Sequence, residues 1–194
     1  MTMTMMTNTI TPATWRWTRH DFRAMNTEVA VELFSSQPNH HELLLDVERL
    51  FTSFERRLSR FNPSSELSQL NACQQPIFTA SPTLVDAVEV ALWAAAATGG
   101  VYDPTTLSAL EQAGYDRSFE TIENQTPLTQ LPGVEAVSAD QSLTYRMPTY
   151  TFRSVTVHRA RRQISKPAGL RLDLGGMGKG WTVDRAADVL QGIG

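Results

Sequence analysis

A chain of 194 residues with a formal net charge of −3 is long enough to bury one hydrophobic core, and its mixed charges present no basic face of the kind that binds nucleic acid. A single cysteine, Cys73, rules out an intramolecular disulfide. The longest apolar run, residues 90–97, falls far short of the roughly 20 residues that a membrane-spanning helix needs.

Residues 1–11 repeat Met and Thr without a basic n-region, an apolar h-region or a cysteine placed for lipidation, so the segment reads as neither a signal peptide nor an anchor. Its composition predicts a disordered tail over residues 1–20, with one folded unit over 21–194. From Met25 to Leu33, Met25, Thr27, Val29, Val31 and Leu33 alternate with more polar neighbours, the period of a half-buried strand. Over residues 41–58 the residues Leu44, Val47, Leu50, Phe51, Phe54 and Leu58 recur at helical spacing, with Glu48, Arg49, Glu55 and Arg56 outside the stripe. Asn62-Pro63 ends that helix, and Ser64 or Ser65 caps a short one carrying Leu67 and Leu70.

Ser81-Pro82 signals the next helix, a serine cap followed by a first-turn proline, which runs to about Thr98 and stops at Gly99-Gly100. The sequence Val101-Tyr102-Asp103-Pro104-Thr105 then predicts a rigid loop, and residues 105–112 a further helical turn. Residues 125–169 read as loop and β-like, with candidate strands at 149–158 and 163–164. The basic cluster His158, Arg159, Arg161 and Arg162 fits a solvated hairpin end. Lys166-Pro167-Ala168-Gly169 turns the chain into an apolar strand at 170–174, and four glycines, Gly175, Gly176, Gly178 and Gly180, form a turn before an amphipathic helix over 181–190.

The segment from Asp173 to Gly180 is the richest in chemistry. A carboxylate, glycines that admit close backbone approach, one lysine and a helix N-terminus together suit a phosphate or a metal-bound phosphate. The spacing matches neither a Walker loop nor a Rossmann fingerprint, and each feature also has a plain reading: Asp173 as a turn cap, the glycines as packing residues, Lys179 as surface charge. The four histidines show no metal-ligand spacing, which sets zinc chemistry aside.

Taken in order, the signals are more specific. Met25-Asn26-Thr27, the helix from Glu55 into Ser59-Arg60-Phe61, Ser65-Glu66-Leu67-Ser68-Gln69-Leu70-Asn71, Gly99-Gly100-Val101-Tyr102-Asp103-Pro104-Thr105 and Asp173-Leu174-Gly175-Gly176-Met177-Gly178-Lys179-Gly180 together resemble the ApbE-type FAD:protein FMN transferases. The resemblance extends from about residue 22 to the last residue. Asn26 stands where that family usually has glycine.

The resemblance implies an α+β fold, a mixed sheet with packed helices and the flavin nucleotide in a cleft. It implies transfer of FMN from FAD to a threonine or serine hydroxyl of an acceptor protein, with Mg²⁺ and release of AMP. By position, Met25, Phe61, Val101, Tyr102, Asp103, Asp173 and Lys179 would contact FAD, and Gly176 would offer a backbone carbonyl to Mg²⁺. The family's acidic and hydroxyl metal ligands and its His-x-x-Asp-Pro segment have no counterpart in these residues, so the catalytic groups are expected in a C-terminal part not present here. Such a chain is expected to expose apolar surface and to associate, homo-oligomers included. Family members act on membrane electron-transfer proteins outside the cytoplasm, whereas this sequence carries no export signal or lipobox and leaves its compartment open. Two other classes stay open beside the transferase: an inactive FAD-binding fragment, and a structural or partner-binding protein whose glycine segment only packs.

Overall fold

The computed structural model describes residues 14–115 and 150–191. The expected mixture of small sheets and packed helices is what the chain adopts, an α+β arrangement. β1 (Arg16–Ala24) and β2 (Thr27–Ser35) form an antiparallel hairpin, paired from Arg16 with Ser35 to Ala24 with Thr27. The first strand begins inside the segment expected to be a disordered tail, so residues 16–20 are strand.

The hairpin turn is Met25-Asn26, both at positive φ, 51° and 58°. This is the two-residue turn whose twist matches its strands and whose two central residues must both lie in the left-handed region. Met25 therefore stands at the turn rather than inside the predicted strand, and Asn26 replaces glycine with the other residue that tolerates this backbone. Towards its open end the hairpin carries Trp15, Trp17 and Phe34 exposed, with Phe34 about 5 Å from each tryptophan ring.

α1 (His40–Leu58) lies against the inner face of the hairpin and buries Leu43, Leu44, Val47, Phe51, Phe54 and Leu58. Phe22 meets Phe51 edge-on, with centroids 5.4 Å apart. α2 (Glu66–Ala72) is capped by Ser65, whose hydroxyl accepts the Ser68 N–H, and α3 (Pro82–Ala97) by Ser81, which accepts from Leu84 N–H. Glu66 ties the two helix starts together, since its carboxylate accepts both the Ser81 N–H and the Ser81 hydroxyl. α3 ends at Thr98, and Gly99 and Gly100 follow at positive φ. α4 (Leu107–Gln112) is a short helix after the Val101–Thr105 loop.

A second sheet runs in the order β3 (Ile77–Thr79), β5 (Gln163–Ser165), β4 (Thr156–His158), all antiparallel. The expected strand over 149–158 is divided: Phe152–Ser154 forms a 3₁₀ turn before β4, while residue 149 and the β-like reading of 125–149 lie outside the described residues. The basic cluster is the β4–β5 connection, as expected, with Arg159 paired to Asp86 and Glu89.

Two further expectations change. Residues 170–174 form no strand and join no sheet. The buried amide of Asn71 takes the place of a strand partner, accepting the Leu172 N–H at 2.7 Å and donating to the Leu172 carbonyl at 2.8 Å. The Asp173 N–H donates to the Pro104 carbonyl at 2.7 Å, and Arg171 forks onto Glu111 of α4. The glycines are not a turn ahead of a helix but its first turns: α5 runs from Gly175 to Gln191, and none of Gly175, Gly176, Gly178 or Gly180 has positive φ. α5 packs on α1 through Trp181, stacked on Phe54 at 4.8 Å. The main core gathers Phe54, Leu58, Leu67, Leu70, Leu84, Val88, Ile164, Leu172 and Trp181, while a smaller one joins Phe22, Val47, Phe51 and Ala186. Among the described residues no helix is long and apolar enough to cross a membrane.

Candidate functional site

The hairpin turn, the C-terminal end of α1 and the start of α5 converge on a cleft of about 690 Å³. Met25 and Asn26 contribute from the turn, Glu55, Leu58, Ser59, Arg60 and Phe61 from α1 and its exit, and Asp173, Leu174, Gly175, Gly178 and Lys179 from α5 and its lead-in. Four residues singled out from sequence, Met25, Phe61, Asp173 and Lys179, are thus brought to one place.

Met25 pays for its left-handed backbone by its position. Strain of this kind costs on the order of 1–3 kcal/mol and survives only where surrounding contacts fix it. The Met25 side chain packs against both cores, and its sulfur lies 3.8 Å from the buried Thr182 hydroxyl. That hydroxyl donates its proton to the Gly178 carbonyl at 2.8 Å, so hairpin turn and α5 meet at Thr182.

Asp173 stands over the first turn of α5. Its Oδ1 accepts the Gly175 N–H at 3.0 Å, and a Cβ at position 175 would lie 3.2 Å from that oxygen, so the absent side chain is what lets the carboxylate fold over the helix end. Arg60 Nε lies 3.4 Å from the same oxygen, with both side chains largely buried. The Arg60 guanidinium also covers the Phe61 ring, 4.2 Å from its centroid, and donates to the Tyr115 carbonyl at 2.8 Å. Gly175, Gly178 and Lys179 share one face of α5 by their i, i+3, i+4 spacing, and it is this face that lines the cleft. Lys179 is exposed and has no ion pair among the described residues.

The remaining predicted residues sit elsewhere. Gly176 points at Tyr102: a Cβ there would approach Tyr102 Cε2 to 3.1 Å. Tyr102 is held behind α5, its hydroxyl buried with no hydrogen-bond partner among the described residues, and burial, then Asp173 and Asp103, push its ionisation up. Asp103 is spent on its own loop, accepting from the Thr105 N–H at 2.8 Å, the Thr105 hydroxyl at 2.6 Å and the Phe152 N–H at 3.3 Å. Val101 is 93% exposed. None of Val101, Tyr102 and Asp103 lines the cleft.

Sequence reasoning passed over Arg60 and Asn71. Asn71 closes the Ser65–Asn71 segment and its role as a main-chain mimic has no local signature. Arg60 occupies the unspecified middle of Ser59-Arg60-Phe61; its one available signal was a cation beside an aromatic residue at a helix exit.

A divalent cation held beside phosphates takes one or two carboxylates. Among the described residues no group of three His, Cys, Asp or Glu could hold a metal, Asp103 is committed to its loop, and Gly176 offers backbone only. These residues do not by themselves form a Mg²⁺ site.

No match was found among curated proteins. Solved structures of the same fold include the ApbE protein of Thermotoga maritima (18% identity, TM-score 0.68, covering 90% of this chain and 52% of that one), the flavin transferase ApbE of Vibrio cholerae (23%, 0.69, 92% and 54%) and the apo flavinyl transferase ApbE of Pseudomonas stutzeri (17%, 0.69, 93% and 53%). The chain spans about half the length of these relatives. The sequence model of the ApbE family matches residues 25–194, from the hairpin turn through the glycine-rich start of α5; the chain belongs to the ApbE family.

Proposed function

We propose that this chain carries the nucleotide-holding part of a flavin transferase that moves FMN from FAD onto a threonine or serine hydroxyl of an acceptor protein. The observation that supports this reading most directly is the convergence of Met25, Phe61, Asp173 and Lys179 on one cleft. In the reaction the acceptor oxygen attacks the FMN-side phosphorus, the bond from that phosphorus to the oxygen of AMP breaks, AMP leaves, and the hydroxyl proton is released.

The described residues hold and orient; none is assigned the proton transfer. Lys179 supplies a charge-assisted donor for a phosphate oxygen. The α5 face at Gly175 and Gly178 lets backbone approach closely at a helix N-terminus, where anions are favoured. Asp173 keeps an acceptor at the cleft floor, and Phe61, about half exposed, offers a ring for an aromatic system. Tyr102 supports this wall from behind, next to Gly176. The Mg²⁺ that the resemblance implies would need carboxylates besides these residues.

The test is a titration of the purified chain with FAD, with Mg²⁺ and with a chelator, followed by incubation with an acceptor flavoprotein and a mass measurement for the added FMN. Saturable FAD binding is expected, with little or no FMN-sized mass increase from these residues alone, in keeping with the incomplete metal donor set. Absence of FAD binding under both conditions would reject the reading. Transfer at a rate comparable to a full-length relative would show instead that the described residues suffice for catalysis.

A further inference from the structure

Three cationic side chains, Arg23, Arg60 and Lys179, face two carboxylates, Glu55 and Asp173, around the cleft. Arg23 already engages Glu28 and Asn26, so the local balance at the α5 end is set by Arg60, Asp173, Glu55 and Lys179. Asp173 occupies the place over the helix end where a phosphate would otherwise be drawn. An uncompensated carboxylate there would repel an anionic ligand at short range through a medium less polarisable than water.

We propose that Arg60 is a positioning residue that neutralises Asp173 for an anionic ligand and fixes the carboxylate and the Phe61 ring as one unit. This rests on the reading of the cleft as a FAD site. The geometry supports it in three ways. Arg60 Nε lies 3.4 Å from the oxygen that accepts the Gly175 N–H. The same guanidinium covers Phe61 at 4.2 Å. It is anchored from a third side by the Tyr115 carbonyl at 2.8 Å. A guanidinium can make all three contacts at once because it is planar and carries five N–H donors, whereas a lysine ammonium cannot both stack and fork.

Removing Arg60 leaves Asp173 repelling the ligand, and replacing Asp173 with Asn in that background keeps the acceptor for Gly175 N–H while removing the charge. Titrations with FAD and with riboflavin, which lacks phosphate, are made on wild type, Arg60→Ala, Arg60→Lys, Asp173→Asn and the double variant Arg60→Ala/Asp173→Asn. Arg60→Ala is expected to weaken FAD binding about tenfold or more, as loss of a charge-assisted pairing does, with riboflavin affinity changed by less than about threefold. The double variant is expected to recover most of the FAD affinity, and Arg60→Lys to recover part of it.

Failure of the double variant to recover would mean that Arg60 touches the ligand itself and would overturn the positioning role. Equal losses for FAD and riboflavin would do the same, because they mark a collapsed cleft. Should wild type bind neither ligand, the FAD reading falls, and the unfolding equilibria of wild type, Arg60→Ala, Asp173→Asn and the double variant decide this one. A coupling of about twofold or more sustains the pairing, and additive effects overturn it.

Discussion

In both Asp103 and Asp173 a carboxylate oxygen accepts the N–H two residues on, from Thr105 at 2.8 Å and from Gly175 at 3.0 Å, and in both the turn leads towards a helix. The lysines form a similar pair. Lys166 is buried, with its ammonium donating to the Cys73 carbonyl at 3.1 Å, while Lys179 stands exposed on the cleft wall. In each pair one residue is consumed by the fold and the other faces the cleft. Local chemistry is the same within each pair; the difference comes from what the rest of the chain brings alongside. Phe152 closes over Asp103, whereas Arg60 and an open cleft stand beside Asp173.

The largest effect that would sharpen this contrast is expected at the aspartates. Asp103→Ala removes three hydrogen bonds and should cost about 2–3 kcal/mol of stability, at about 1 kcal/mol per bond with some recovery by solvent. Asp173→Ala loses one turn bond and one ion pair, so it should cost about 1 kcal/mol while lowering FAD affinity, because it removes the acceptor of the Gly175 N–H that Asp173→Asn would keep. Chemical denaturation paired with FAD titration reads both. A reversed ranking, with Asp173→Ala the more destabilising and FAD affinity unchanged in its folded fraction, would make Asp173 the structural residue.

Next come the glycines of α5. Gly176→Val drives a branched side chain into Tyr102, already 3.1 Å from an added Cβ, and overpacking of this sort costs about 1–3 kcal/mol. Gly178 has open space around a built Cβ, so Gly178→Ala should leave stability unchanged or raise it by up to about 1 kcal/mol. Because Gly178 lines the cleft, its FAD affinity should nevertheless fall. Gly176→Val should also weaken FAD binding more than Lys179→Ala, through the contact with Tyr102, since the backbone at Gly176 is not at positive φ. If Gly178→Ala binds FAD as wild type does, the claim that α5 presents bare backbone to the cleft fails.

Lys179→Ala should be milder. An exposed lysine without an ion pair among the described residues contributes little to folding, so melting temperature should hold while FAD affinity falls several-fold and loses part of its salt dependence. Unchanged affinity across low and high salt would return Lys179 to ordinary surface charge.

How much of this was legible in sequence differs between elements for physical reasons. The α1 stripe, the Ser65 and Ser81 caps and the Gly99-Gly100 stop were readable because each rests on local spacing or local hydrogen bonding. β1 was not: its outward residues Trp17, Arg19, Asp21 and Arg23 blur an alternation of which only Phe22 and Ala24 are the fully buried part. Residues 170–174 looked like a strand because their apolar run is one, but their partner is the Asn71 side chain, a contact |i−j| = 101 apart. The glycines were read as a turn because glycine usually marks one, whereas here they let Asp173 and Tyr102 approach the first turns of a helix. Motif order brought Met25, Phe61, Asp173 and Lys179 together; the same order could not tell that Asp103 turns inward, since that depends on Phe152.

The smallest effect concerns the inward lysine. Burial lowers the ionisation of Lys166 below the usual lysine range, with the nearby Cys73 thiol acting weakly in the opposite sense where it ionises. The folded chain therefore releases this proton at a lower pH than the unfolded chain, whose lysines ionise near about 10.4. Between the two values the unfolded state binds more protons, so the contribution of Lys166 to stability rises with pH across that window and is flat below both. Lys166→Met removes this dependence along with the bond to the Cys73 carbonyl. Melting temperatures of wild type and Lys166→Met, measured from neutral pH upward towards the lysine range in a Cys73→Ser background that silences the thiol, should diverge in favour of wild type as pH increases. A gap that stays constant would show that Lys166 titrates alike in both states, and the contrast between a lysine consumed by the fold and one left at the cleft would then rest on hydrogen bonding alone.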